Sequence, residues 1–197
     1  MGARNFNLTP ISPGLVDTII SWNSKPLFLW DSNLNSTEYQ NTKLIVREFD
    51  TQKQVWESNI DINQKKAVYN SKEQLRPGTL YVWLIEKEQE KEKSNLIEPT
   101  LFRIMSVKER KKIDIELQEL EKKYRLAGVS PEEIELRKTE YFLNYQFIDL
   151  SNNTMNNLWS DALTSLFSVE KPSQTFIELR ENLFKNIKTS SLNKIEL

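Results

Sequence analysis

The sequence predicts an α+β fold in two parts. A β-sandwich spans residues 1–106, and an antiparallel helical region at 107–190 packs against it, ending in a frayed tail at 191–197. Three observations lead there. Short β-rich runs alternate with turn residues through the first hundred positions. The stretch LRPGTLYVW at 75–83 carries a turn signal straight into an aromatic strand. Near residue 106 the pattern changes to charged segments of helical period.

The strand candidates, in order, are LVDTII (15–20), PLFLWD (26–31), KLIVREF (43–49), KQVWESNI (53–60), KAVYN (66–70), TLYVWLIEKE (79–88) and PTLFRIM (99–105). Turn signals about every 8–12 residues suit a sandwich. SPG (12–14), DSN (31–33) and RPG (76–78) supply the punctuation.

Pro77-Gly78 explains why an aromatic residue follows so closely. In immunoglobulin-like sandwiches a tyrosine at the E–F corner folds inward, and its hydroxyl bonds to backbone a few residues upstream. Tyr81 stands at that place, with Leu75 as an inward anchor before the turn. The order Leu, Pro, Gly, Thr, Tyr resembles the fibronectin type III form of this corner. A plain hairpin entering an amphipathic strand fits the same residues. Trp30 reads as a buried indole of an early strand, and Trp83 as an inward neighbour of Tyr81.

A half-exposed strand alternates apolar with polar residues. Residues 80–85 do not alternate: if Tyr81, Trp83 and Ile85 point inward, Leu80, Val82 and Leu84 point out. Strand 26–31 has the same surplus in Leu27 and Leu29. The expectation is that the rest of the chain covers the outer face of the sheet holding strand 79–88.

In the helical part, Ile113, Leu117, Leu120, Tyr124 and Ala127 are spaced four, three, four and three, one apolar stripe on a helix at 107–127. Gly128 follows as the C′ residue. Ser130 is the expected N-cap of a second helix over about 131–150, with Pro131 at N1 and Glu133 closing a capping box. A break at DLSNNT (149–154) precedes a third helix around 155–168, and Pro172 opens a fourth. The later helices look like one tetratricopeptide-like unit plus a following helix. No second copy recurs at a fixed period, so no solenoid is expected.

Composition narrows the chemistry. Neither cysteine nor histidine occurs, which excludes disulfides, Cys/His zinc sites and Ser-His or Cys-His triads. No calcium loop, GxxxxGK or GxGxxG is present, and no cofactor or metal is expected. Lysine plus arginine is 27 against 28 acids, a formal charge of -1 that lacks the footprint of a nucleic-acid binder. The charge blocks at 87–93 and 108–112 read as solvated surface. NLT (7–9), NST (35–37) and NNT (152–154) match the glycosylation pattern but arise easily in an asparagine-rich chain. No run of eighteen apolar residues occurs. MGARNFNLTP has no apolar h-region, so the expected localisation is cytoplasmic as given, or periplasmic or extracellular if a signal peptide was removed.

Taken in order, LTPISPG, PLFLW, LRPGTLYVW, a charged helix and NLWSDALTSLFSV resemble an uncharacterised family found mainly in cyanobacteria. The resemblance covers roughly 8–187 and includes a W-x-D-A-L segment, here Trp159 to Leu163. It implies a fibronectin- or immunoglobulin-like sandwich with a helical tail, and it implies no activity. The usual glycine before that tryptophan is missing here.

The expected function is a non-catalytic protein–protein interaction or scaffold module, a subunit of a larger assembly with a protein partner. Trp22, Trp56 and Trp159 are the candidate contacts, because the sandwich gives them no fixed place. Each also reads as core, since tryptophan is mostly buried. The alternative is a carbohydrate- or cell-envelope-binding sandwich that stacks exposed tryptophans on sugar rings. An enzyme would have only carboxylates, lysines and hydroxyls, and Asp149 and Asp161 are the acids to test first.

Overall fold

The computed structural model describes residues 8–14, 19–32, 41–89, 92–149 and 154–195. Most of the run expected at 15–20 and the triplet at 35–37 lie outside them, as do parts of the triplets at 7–9 and 152–154.

Two sheets face each other. The first holds β1 (Leu8–Ser12), β3 (Leu27–Ser32) and β6 (Lys66–Val68), in the order β1-β3-β6. The second runs β2 (Ile20–Ser21), β9 (Thr100–Ile104), β7 (Leu80–Gln89), β4 (Thr42–Glu48), β5 (Gln54–Ile60), and β8 (Glu92–Asn95) also pairs with β7. The pairs are antiparallel except β2 with β9.

β1 went unread in the sequence because Pro10 sits inside it. Proline is tolerated on an edge strand or at a bulge. β1 is an edge strand, and its register shifts between Pro10 and Ser12. The chain then leaves the first sheet for the second through Pro13 and Gly14. Gly14 has φ of +120°, and a Cβ there would lie 2.0 Å from Thr100 Cγ2, so only glycine makes the crossing.

The core between the sheets is aromatic. Phe28 lies 5.3 Å from Trp83, 5.8 Å from Trp56 and 5.9 Å from Phe102, ring centre to ring centre. Trp30 and Trp83 are fully buried, and their indole N–H groups donate to Ile62 O at 3.0 Å and Pro13 O at 2.7 Å. Burial of each such ring stabilises by roughly 1.5–3 kcal/mol, and the indole bond removes the penalty for its polar atom.

Four helices follow: α1 (Val107–Leu126), α2 (Pro131–Asn144), α3 (Trp159–Ser168) and α4 (Gln174–Ile195). Between α2 and α3 lies an antiparallel hairpin, β10 (Gln146–Asp149) with β11 (Thr154–Asn157). The sequence predicts a second helix to about 150 and a third from around 155. Helix period instead gives way at Tyr145, whose backbone is extended, and the Phe147-Ile148 pair favours a strand. α4 runs as far as Ile195, and no proline or glycine follows Pro172 to stop it.

Ser130 does cap α2, accepting the Glu133 N–H at 3.2 Å, with Pro131 in the first turn. Glu133 does not close the box; its carboxylate pairs with Arg137 one turn on. The complete capping box belongs to α1, between Ser106 and Glu109. Gly128, at φ +70°, ends α1 as expected.

The helices cover a different sheet face from the one expected. Leu27 and Leu29 of β3, with Ile11 of β1, pack on Leu163 of α3 and against Trp159, Phe167 and Phe184. This explains why β3 is buried on both faces. A second cluster joins Ile20 and Met105 to Ile113, Leu117, Phe142, Leu158 and Ala162. On the outer face of β7, Val82 and Leu84 are 8% and 4% exposed. The registers place Ile45 opposite Leu84 and Arg47 opposite Val82, and the ion pairs Lys43–Glu57 and Arg47–Glu86 flank them. Long charged side chains shield apolar neighbours with their stems.

Candidate functional site

The corner residues are structural. Tyr81 is 1% exposed, and its hydroxyl accepts the Arg76 N–H at 2.8 Å, five residues upstream. Leu75 is buried at 2%. The guanidinium of Arg76 pairs with Glu48, which also accepts from Thr51 Oγ1 at 2.9 Å. Pro77 and Gly78 form the turn, and Gly78 has φ of +76°.

Two of the three candidate tryptophans have their indole N–H engaged, and the third packs half-buried against the first sheet. Trp56 is 9% exposed, packs on Phe28 and Tyr69, and donates to Asn70 Oδ1 at 3.1 Å. Trp159 is half-buried against Leu27, Leu29 and their neighbours. Trp22 donates to Asp114 Oδ1 at 2.7 Å, lies 5.6 Å from Phe142, and carries the Arg110 guanidinium over its ring at 5.4 Å. Sequence reasoning could not see this, because every one of those partners is remote in the chain except Asn70 and Tyr69.

Asp161 is the most unusual acid. It lies in the first turn of α3 and is 1% exposed. Its Oδ2 accepts the Trp22 N–H at 2.8 Å, and its Oδ1 accepts the Asn23 N–H at 2.8 Å and the Ser21 hydroxyl at 3.1 Å. Burial pushes its pKa up to about 6, against the downward pull of those donors and of Arg110. A carboxylate so enclosed acts as an anchor: it ties the helical region to the backbone at β2. Ser12 Oγ adds a second tie, donating to Ser160 Oγ at 3.1 Å. A small cavity of about 120 Å³ adjoins Asp161, between α2 and α3. The side chain of Asp149 lies outside the described residues. Among the described residues, no group of three acids could hold a metal ion.

The base of α1 is fixed just as firmly. Glu109 accepts both guanidinium nitrogens of Arg103, at 2.8 and 2.9 Å, and the Ser106 N–H at 2.6 Å. The Arg103 bonds, with Ser106, hold its carboxyl down to about 2.

Beyond that base, the α1–α2 hairpin carries a shallow groove of about 350 Å³ lined by the polar Arg137, Glu140 and Asn144 and by four larger residues, Leu120, Tyr124, Tyr141 and Tyr145. All four are half-buried. The Tyr141 and Tyr145 rings lie 5.4 Å apart at 39°. Tyr141 donates to Glu116 Oε2 at 2.6 Å, and burial, then Glu116, drives its hydroxyl far above the usual tyrosine range, so it stays a donor. Lys112 sits 5.8 Å over the Tyr145 ring and Lys123 sits 5.5 Å over Tyr124. On the opposite bank, Arg137 bridges Glu133 and Glu140. The Arg137 Nε is buried without an acceptor. In the sequence Leu120 and Tyr124 read only as part of one apolar stripe, which does not show that this end of it stays half-exposed.

No protein-family model matches the chain, and no curated protein matches it in a sequence comparison. No helix among the described residues is long and apolar enough to cross a membrane.

Proposed function

We propose that this protein is a non-catalytic interaction module, built on a fibronectin- or immunoglobulin-like sandwich, that serves as a scaffold subunit in a larger assembly. One observation carries the reading: a tyrosine-lined groove stays open on a helical hairpin that is rigidly mounted on the sandwich. Tyrosine supplies large contact area at low entropic cost, which is why it concentrates at interfaces. The pinned Tyr141 hydroxyl reduces that cost further. The sandwich identity draws support from the buried corner tyrosine and from the division of strands between the sheets. The sugar-stacking alternative draws less support, since Trp56 is buried and the Arg110 guanidinium lies over the Trp22 ring, which leaves the half-buried Trp159 as its candidate.

The test is affinity purification with quantitative mass spectrometry, comparing the full chain with Tyr124→Ala and Tyr145→Ala variants shown to be folded. One protein retained in near-stoichiometric amount, and lost with either variant, is the expected result. A bait that retains nothing in stoichiometric amount sinks the reading.

A further inference from the structure

We infer that the outer edge of β5 joins two copies of this chain, the β5 strands pairing antiparallel about a two-fold axis at Glu57. The α1–α2 groove takes no part in this seam.

An edge strand presents a row of backbone N–H and C=O groups without partners, and folds blunt such edges. The described strands end the two facing sheets at β1, β2, β5, β6 and β8. Four of these are blunted. β1 carries Pro10 and a register shift. β2 has two residues, β6 has three, and β8 has four, of which two are charged.

β5 is the exception. It runs for seven residues, about 23 Å, without proline, glycine or lysine. Its one irregularity is a register shift at the Gln54 end, and Trp56 to Ile60 pair with β4 without interruption. Among the described residues, β4 is the one element whose backbone bonds to β5. Every second residue of β5 therefore turns its N–H and C=O outward. Val55 and Ile60 pack on the core at this edge yet stay half-exposed. A strand added there satisfies the backbone and removes apolar surface from water.

Charge says which strand fits. Two identical antiparallel strands set each residue opposite one equally far beyond the axis. With the axis at Glu57, Lys53 faces Asp61 of the second copy at both ends of the seam. Both residues are exposed, and among the described residues neither forms an ion pair. Asp61 accepts from the Asn63 backbone and side chain, at 3.0 and 2.8 Å. The Lys53 stem is long enough to absorb the register shift beside it. Like charges meet on the axis, at Glu57. There Lys43 of each copy lies 3.7 Å from its own Glu57, so the four groups sum to zero. A second copy thus brings the complement to both ends, which a strand of unrelated sequence does by chance alone.

Sedimentation equilibrium of the full chain from about 1 to about 300 μM covers the span in which a small interface associates. A monomer–dimer equilibrium is expected. Lys53→Asp and Asp61→Lys variants, each with wild-type circular dichroism, should dimerise about tenfold more weakly, since each sets like charges opposite. An equimolar mixture of the two variants should recover wild-type association, because acids then face bases at both ends. Amide hydrogen exchange at residues 54–60 should slow as chain concentration rises. A wild-type monomer across the whole range would overturn the inference. So would a dimer indifferent to both variants, a mixture that recovers nothing, or exchange at 54–60 that ignores concentration.

Discussion

At the scale of single residues, two buried polar side chains, Tyr81 and Asp161, satisfy backbone N–H groups that an apolar side chain would leave unpaired. Tyr81 fills the corner with its ring and satisfies the Arg76 N–H with its oxygen. Tyr81→Phe keeps the ring and orphans that N–H, so a loss of about 1–2 kcal/mol is expected. Urea denaturation should show a lower midpoint at constant slope. Asp161 and Glu109 respond to pH in opposite directions. The folded pKa of Asp161 is raised to about 6 from 3.8, so its contribution is complete below pH 3.8 and lost as pH rises through 6. Glu109 is lowered to about 2 from 4.5, so its contribution is complete above pH 4.5 and lost as pH falls toward 2. The wild-type advantage over Asp161→Asn should therefore shrink between pH 4 and 6. The advantage over Glu109→Gln should shrink between pH 4.5 and 2. Stability profiles that run parallel to wild type across those windows would refute the assignment.

At the scale of elements, caps and turns decide where the chain changes direction. Ser106→Ala removes one half of the α1 box and should cost about 1 kcal/mol. Ser130→Ala removes a lone cap on α2, and since Glu133 gives nothing back, the loss should be no larger. The two glycines differ in kind. At Gly128 a new methyl meets nothing within 4 Å, so Gly128→Ala costs only the left-handed backbone, about 1–2 kcal/mol. At Gly14 it meets Thr100 Cγ2 at 2.0 Å and Leu101 O at 2.9 Å, so Gly14→Ala should prevent the sheet crossing. Thermal unfolding of the two variants separates the cases: a modest shift for Gly128→Ala, and loss of the cooperative transition for Gly14→Ala.

At the scale of the whole molecule, the first sheet is the middle layer of three. Its β3 strand sends Phe28 and Trp30 into the sandwich core and Leu27 and Leu29 into the helices. Removing residues 107–197 would uncover Ile11, Leu27 and Leu29 together. The truncated chain should bind ANS and self-associate, as a large contiguous apolar patch requires. A monomeric fragment that leaves ANS dark would contradict the three-layer arrangement.

Much of this was legible in the chain because it is written in near neighbours. The turn at Pro77-Gly78, the tyrosine that follows it, the cap at Ser130 and the stop at Gly128 are all local signals, set by backbone sterics and short hydrogen bonds. The surplus of apolar residues on strand 26–31 was visible too, as a demand for a cover. What supplies the cover depends on contacts between distant residues, and those were not legible. Asp161 meets Ser21, Trp22 and Asn23 across about 140 positions, and no local pattern encodes such a meeting. The same holds for the stripe on α1. Sequence alone determined that Leu120 and Tyr124 are apolar and share a helix face. Only the tertiary arrangement decided that this half of the face stays half-exposed, because the cluster that closes over Ile113 and Leu117, with Ile20, Met105 and Phe142, does not reach it.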